Sequence, residues 1–170
     1  MNKIFFITAL SLLCGQRIIE LLVARANEAW MRQNHAREFG AAHYRWIVLL
    51  HIGFLGSLTL EGWQRGPALI NGWPVVVAAL GVLQILRYWC ILALGKFWNT
   101  RILIIPGAKR IRHGPYRLLP HPNYVIVVLE IFFWPLLFSC WYTLLWAGLT
   151  NALLLSIRIR QENAALVHLV

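Results

Sequence analysis

The sequence predicts an all-α integral membrane protein of about five transmembrane helices in a single domain, residues 1–170. Three observations predict it. The chain is 59% hydrophobic and 13% charged, against about 25% charged in a soluble domain. Apolar runs near 20 residues recur, the length a helix needs to cross a bilayer. The basic residues fall in the gaps between those runs, as membrane topology requires.

The spans are expected at residues 2–24, 44–61, 74–94, 123–138 and 141–160. The first begins "MNKIFFITALSLLCG", which imitates a lipoprotein signal ending at Cys14. Leu13 precedes that cysteine where cleavage wants a small side chain, so the stretch is read as a membrane helix. Between the first two spans, "RANEAWMRQNHAREFG" is expected to form a short interfacial helix stopped by Gly40, its arginines resting against anionic headgroups. A polar loop spans 95–122. The last two spans are joined at "FSCW" with almost no loop, so they must form a tight helical hairpin. The three cysteines lie in apolar runs without a CxxC and are read as small core residues.

The net charge of +10 could point to nucleic acid, but no soluble domain displays it. Twelve Lys and Arg lie in 25–45, 95–122 and the C-terminal end, and two, Lys3 and Arg65, lie on the other side. That asymmetry places both basic loops and the C-terminus in the cytoplasm, the N-terminus outside, and membrane lipids as the partner of the basic segments.

Ionisable groups inside spans are costly and usually paired or functional. Arg17 and Glu20 stand at i and i+3 and can neutralise each other. Arg87 and Glu130 lie at similar depths, so an interhelical pair is expected. His51 is read as a hydrogen-bonded core histidine.

The stretch "HGPYRLLPHPNY", His113–Tyr124, is stiff and polar at the foot of an apolar run. Leu119 and His121 each precede a proline, so the chain there is extended. Helix restarts at Pro122, a favoured first-turn residue. His121 then sits at a helix mouth where free N–H groups favour a carboxylate or phosphate. Tyr116 and Tyr124 offer flat walls with polar tips. With no Asp or Cys in this loop, His113 and His121 do not make a metal site. The fifth span ends "SIRIRQENAAL", with Arg158 and Glu162 at i and i+4 on one face. The hairpin brings that end beside His121 and Tyr124. A membrane re-entry loop and a surface salt bridge are the plain structural readings of the same features.

"GPYRLLPHPNY", two following apolar spans and an RxxxE end resemble the isoprenylcysteine carboxyl methyltransferase (ICMT) family, whose loop reads approximately G-P-Y-R-x-x-R-H-P-x-Y-x-G. "LRYW" and "LGKFW" are similar to the segment leading into that loop. "RANEAW" and "HPNYVIVVLE" resemble a bacterial branch linked to O-methylation of long-chain alkylpyrones and related polyketide lipids. Pro120 stands where the family has Arg, and Ile126 where it has Gly, departures that set the chain apart from members acting on prenylated protein C-termini. The resemblance implies S-adenosylmethionine as methyl donor, with S-adenosylhomocysteine as product. By motif position it implies that Ile111, Tyr116, His121, Pro122, Asn123, Tyr124 and Glu162 line the cofactor. It implies that Arg158 faces the anionic oxygen of a lipophilic substrate, a carboxylate or acidic enol, entering from the bilayer of a bacterial inner membrane. Two other readings stand beside it. A membrane NADPH-dependent sterol or enone reductase also carries an HPNY-like loop but places Gly-Glu soon after the Tyr, where this chain has Ile126-Val127. A non-catalytic membrane scaffold would bind neither cofactor.

Overall fold

The structure is a computed structural model, and it describes residues 2–167. Five helices account for the apolar runs: α1 (Asn2–Gln33), α2 (Ala41–Arg65), α3 (Trp73–Leu94), α4 (Pro122–Leu137) and α5 (Trp141–Leu166). Four of them, α1, α2, α3 and α5, are long and apolar enough to cross a membrane. The fourth in chain order, α4, is a shorter apolar helix of 16 residues, about 24 Å at 1.5 Å per residue. Large side chains on the outer faces, such as Ile52, Leu92 and Leu149, are exposed, as expected where lipid takes the place of a protein partner. All five helices feed one core, with Phe6, Leu58, Cys90, Leu137 and Ala147 buried in it.

The segment 25–40 departs from expectation. It is not a separate interfacial helix. Residues 25–33 are the last turns of α1, and Arg37–Phe39 form strand β1, which pairs antiparallel with β2 (Ile102–Ile104). Polarity marks where α1 leaves the apolar layer, but no Pro or Gly interrupts the helix there, and Arg32 pairs with Glu28 one turn earlier at 2.7 Å. Glu38 then receives Arg32 and Arg101 at 2.6 Å each. Burial alone would raise the Glu38 carboxyl, but the hydrogen bonds from these two guanidiniums hold it below the usual carboxylate range.

The β1–β2 pair also changes the segment 95–122, which is not a plain loop. It contains a 3-10 turn at Gly95–Phe97, strand β2 and a second 3-10 turn at Gly114–Arg117. Ile102 and Ile104 pack on Ala165 and Leu166 of α5, forming a small second core. The three basic segments are thereby gathered at one end of the bundle.

The tight α4–α5 hairpin is present. Cys140 N–H donates to the Pro135 carbonyl at 2.9 Å, and Ser139 takes a positive φ of 54°. Glu61 of α2 supplies what the hairpin lacks. Its carboxylate accepts the first N–H groups of α5, from Tyr142 at 3.1 Å and Thr143 at 2.8 Å, capping that helix from a neighbouring one.

The two expected ion pairs are both formed, but as one buried cluster. Arg17 reaches Glu20 at 2.8 Å and Glu130 at 2.6 Å; Arg87 reaches Glu20 at 2.5 Å and Glu130 at 3.0 Å. Gln16 and Gln84 complete the carboxylates' hydrogen bonds. Two cations and two anions cancel, which is how charges persist at this depth.

Candidate functional site

The site forms where three elements meet at the basic end. The chain turns at Gly114–Arg117 and, rather than running extended as its prolines predict, bends again at Pro120 and His121 (φ −135°, ψ 59°) before it enters helix at Pro122. Pro122 keeps His121 out of the helical region, but the compact loop does not let it straighten. Pro122 is buried at the first turn. That start directs His121, Asn123 and Tyr124 toward the end of α5.

Tyr124 is the centre of the arrangement. Its hydroxyl donates a short hydrogen bond to Glu162 and accepts one from Arg158 Nε at 2.7 Å. The two charged residues predicted to share a face are therefore joined through a phenol rather than directly to each other. Arg158 also donates to the Thr100 carbonyl at 2.7 Å, and its guanidinium carbon lies 5.5 Å from the Tyr124 ring centroid. Only 7% of Arg158 is exposed. Three separate constraints thus fix the direction of a buried cation. His121 stacks on Tyr124 with ring centroids 5.3 Å apart. It donates from Nε2 to Asn163 at 2.9 Å, and its Nδ1 lies 3.7 Å from Glu162. Burial, with the neighbouring Cys90 and Glu162, pushes the Tyr116 phenol well above its ordinary range, so Tyr116 remains a neutral hydroxyl.

Four cavities with shared walls run from this end into the bundle. The outermost, of about 130 Å³, is lined by Ile111, Tyr116, Pro120 and Glu162. The next, of about 60 Å³, keeps Tyr116 and Glu162 and adds Trp98, Asn99, His121 and Tyr124. A third, of about 120 Å³, shares Trp98, Asn99 and Tyr124 and adds Arg158, Thr100 and His51. The innermost and largest of the four, of about 280 Å³, shares His51, Arg87 and Thr100, and its wall carries the Arg17–Glu20–Arg87–Glu130 cluster. Its other lining is apolar and includes Leu21 of α1 and Ile52 of α2, both exposed on the lipid-facing side.

Six of the seven residues expected at a cofactor are thus brought to the outer two cavities: Ile111, Tyr116, His121, Asn123, Tyr124 and Glu162. Pro122 shapes the helix start beside them. Arg158 lies in the third cavity, one step deeper. Trp98, Asn99, Thr100 and His51 were not anticipated as site residues. Trp98 is the last residue of the "LGKFW" segment, whose resemblance assigns it no role, and Asn99 follows it. Among the described residues, no group of three or more His, Cys, Asp or Glu could hold a metal ion.

Two buried polar atoms of this wall, Asn123 Oδ1 and Trp98 Nε1, have no partner among the described residues. Unpaired buried polar atoms are rare and costly in a folded chain. An acceptor and a donor left open beside Glu162 suit a polar heteroaromatic ligand carrying both hydrogen-bonding roles and a positive charge.

The model of the isoprenylcysteine carboxyl methyltransferase (ICMT) family matches residues 75–168, which contain all of α4 and α5 and the segment between α3 and α4. The chain is 41% identical over 157 residues to an uncharacterized protein of Bacillus subtilis (strain 168), YpbQ, covering 92% of this chain and 94% of that one. It is 23% identical over 154 residues to an uncharacterized protein of Haemophilus influenzae (strain ATCC 51907 / DSM 11121 / KW20 / Rd), covering 90% of each. No solved structure matches.

Proposed function

The chain belongs to the isoprenylcysteine carboxyl methyltransferase family and is thus a membrane methyltransferase; from this premise we propose that it is an S-adenosylmethionine-dependent O-methyltransferase acting on a lipophilic carboxylate or acidic enol. The observation that carries the proposal is the Tyr124 hydroxyl, which ties Glu162 at a polar outer cavity to Arg158 at an inner one. A cation and an anion held apart in this way suit two reactants of opposite charge.

S-adenosylmethionine, when bound, supplies an electrophilic methyl group on a sulfonium. Ile111, Tyr116, His121, Asn123, Tyr124 and Glu162 would hold it. The Glu162 carboxylate offers a counter-charge to a cation. Asn123 and Trp98 offer the unpaired acceptor and donor noted above. On the substrate side, the buried Arg158 guanidinium orients an anionic oxygen, and its bonds to Tyr124 and Thr100 keep it from collapsing onto Glu162. A carboxylate is already ionised near neutral pH, so the chief task of these residues is alignment, which can contribute about 7–11 kcal/mol. The innermost cavity supports lipid entry from the side, since its apolar wall reaches exposed faces of α1 and α2. The basic segments support a cytoplasmic position for the cofactor end in a bacterial inner membrane.

Calorimetry on the purified protein tests the proposal. S-adenosylhomocysteine is expected to bind, and NADPH is not. Glu162→Ala and Tyr116→Ala should each weaken that binding by roughly tenfold or more, the scale of a lost hydrogen bond to a charged group. Binding of NADPH instead would replace the proposal with the reductase reading. Unchanged affinity in both variants would remove the pocket assignment.

A further inference from the structure

We propose that His51 is the proton acceptor of the reaction, so that the site can methylate a hydroxyl still protonated at neutral pH. This rests on the reading of the site as an S-adenosylmethionine-dependent O-methyltransferase. Arg158 and alignment serve an oxygen that arrives ionised. A phenol-like hydroxyl, with a pKa of about 10, arrives with its proton and requires a base.

His51 lies on α2 and lines both inner cavities, at the point where the chamber holding Arg158 meets the one holding the ionic cluster. Its Nδ1 lies 2.8 Å from the Ile47 carbonyl. A carbonyl only accepts, so Nδ1 carries the proton, and in the neutral ring Nε2 presents a lone pair. Among the described residues nothing donates to Nε2, and the residue as a whole is only partly buried. A histidine that served packing alone would not need to line two cavities with one ring nitrogen left without a partner among the described residues.

The surrounding charges leave that nitrogen free to work. Arg17 and Arg87 are each bound by Glu20 and Glu130, so that wall is neutral overall. Arg158, across the third cavity, is engaged by Tyr124 and Thr100. Tyr44, on the same helix as His51, bonds Thr100 and not the imidazole.

The step balances as follows. The substrate O–H proton passes to His51 Nε2. The oxygen lone pair forms the new O–CH3 bond as the methyl C–S bond breaks. Its electron pair stays on sulfur, leaving a neutral thioether. The imidazolium returns its proton to water once product leaves.

The test compares two lipids with the same long alkyl tail, an alkylphenol and a fatty acid, with wild type, His51→Gln and His51→Asn. Gln keeps an acceptor near the Nε2 position and Asn keeps a donor near Nδ1; neither is a base. General-base assistance contributes about 10²–10⁴-fold. Turnover on the phenol at saturating cofactor should therefore fall about 100-fold or more in both variants, and at least about 30-fold more than turnover on the fatty acid. Equal losses on the two lipids, with S-adenosylhomocysteine still bound, would mean a structural role and overturn the inference. So would an undiminished rate on the phenol. Methylation of the fatty acid alone by wild type overturns it while leaving the methyltransferase reading intact; methylation of neither lipid also overturns it, and the methyltransferase reading then stands or falls with S-adenosylhomocysteine binding.

Discussion

Tyr124 does the work that the sequence assigned to a pair of charges. Arg158 and Glu162 are one helical turn apart and could have closed on each other as a surface salt bridge worth little. The phenol between them keeps both oriented toward different cavities. The HPNY loop and the Arg158/Glu162 spacing made most of this legible in advance. His51, Asn99 and Thr100 are not legible as site residues, because they come from other elements and match no local pattern, and the LGKFW segment that contains Trp98 assigns it no role. His51 was read as a hydrogen-bonded core histidine. The bond to Ile47 is there, but only the cavities show that the residue also borders open space. At the same scale, Glu130 is 1% exposed and holds two arginines. Glu130→Ala leaves the cluster with an uncompensated buried positive charge. It should destabilise by about 3–5 kcal/mol, read as a lowered thermal midpoint in detergent.

Hydropathy placed the helical elements, because each apolar run is long and bounded by polar or proline-containing segments. It failed for β1 and β2. Three-residue strands carry too little alternation to be seen, and Arg37–Phe39 reads as the end of an interfacial helix stopped by Gly40. The consequence is functional, since β2 seats the end of α5 through Ile102 and Ile104, and α5 carries Arg158 and Glu162. The start of α2 is fitted to that same end. Gly40 has φ +64°, and a Cβ there would stand 2.1 Å from Gln161 Oε1 and 2.3 Å from His43. Gly72, left-handed like Gly40 with φ +82°, faces open space. Gly72→Ala should therefore cost only the left-handed strain, about 1–2 kcal/mol. Gly40→Ala should lower the thermal midpoint further and weaken S-adenosylhomocysteine binding, because the overlap pushes on α5. Equal effects of the two substitutions would show that the α2–α5 contact does not support the site.

Over the whole molecule, the basic segments and the outer cavities share one end of the bundle, and the largest cavity lies deeper among the helices. On the proposed function, this arrangement divides a polar reactant from an apolar one along a single path. The charge asymmetry predicts which side the polar end faces. A single cysteine in place of Ala108 should resist an impermeant maleimide added outside intact cells and react after the membrane is opened. Ready labelling from outside would invert the orientation.

The division of labour along that path is tested most directly by methyl transfer from isotope-labelled S-adenosylmethionine to a long-chain acid or acidic enol in vesicles, measured for Arg158→Ala beside Glu162→Ala. At saturating cofactor, Arg158→Ala should lower turnover about 100-fold, the scale of a lost orienting group, while cofactor affinity stays within about threefold. Glu162→Ala should do the reverse, raising the cofactor concentration needed and sparing turnover once it is supplied. Loss of cofactor binding in Arg158→Ala with turnover spared at saturation, or no transfer by the wild-type protein, would contradict the account.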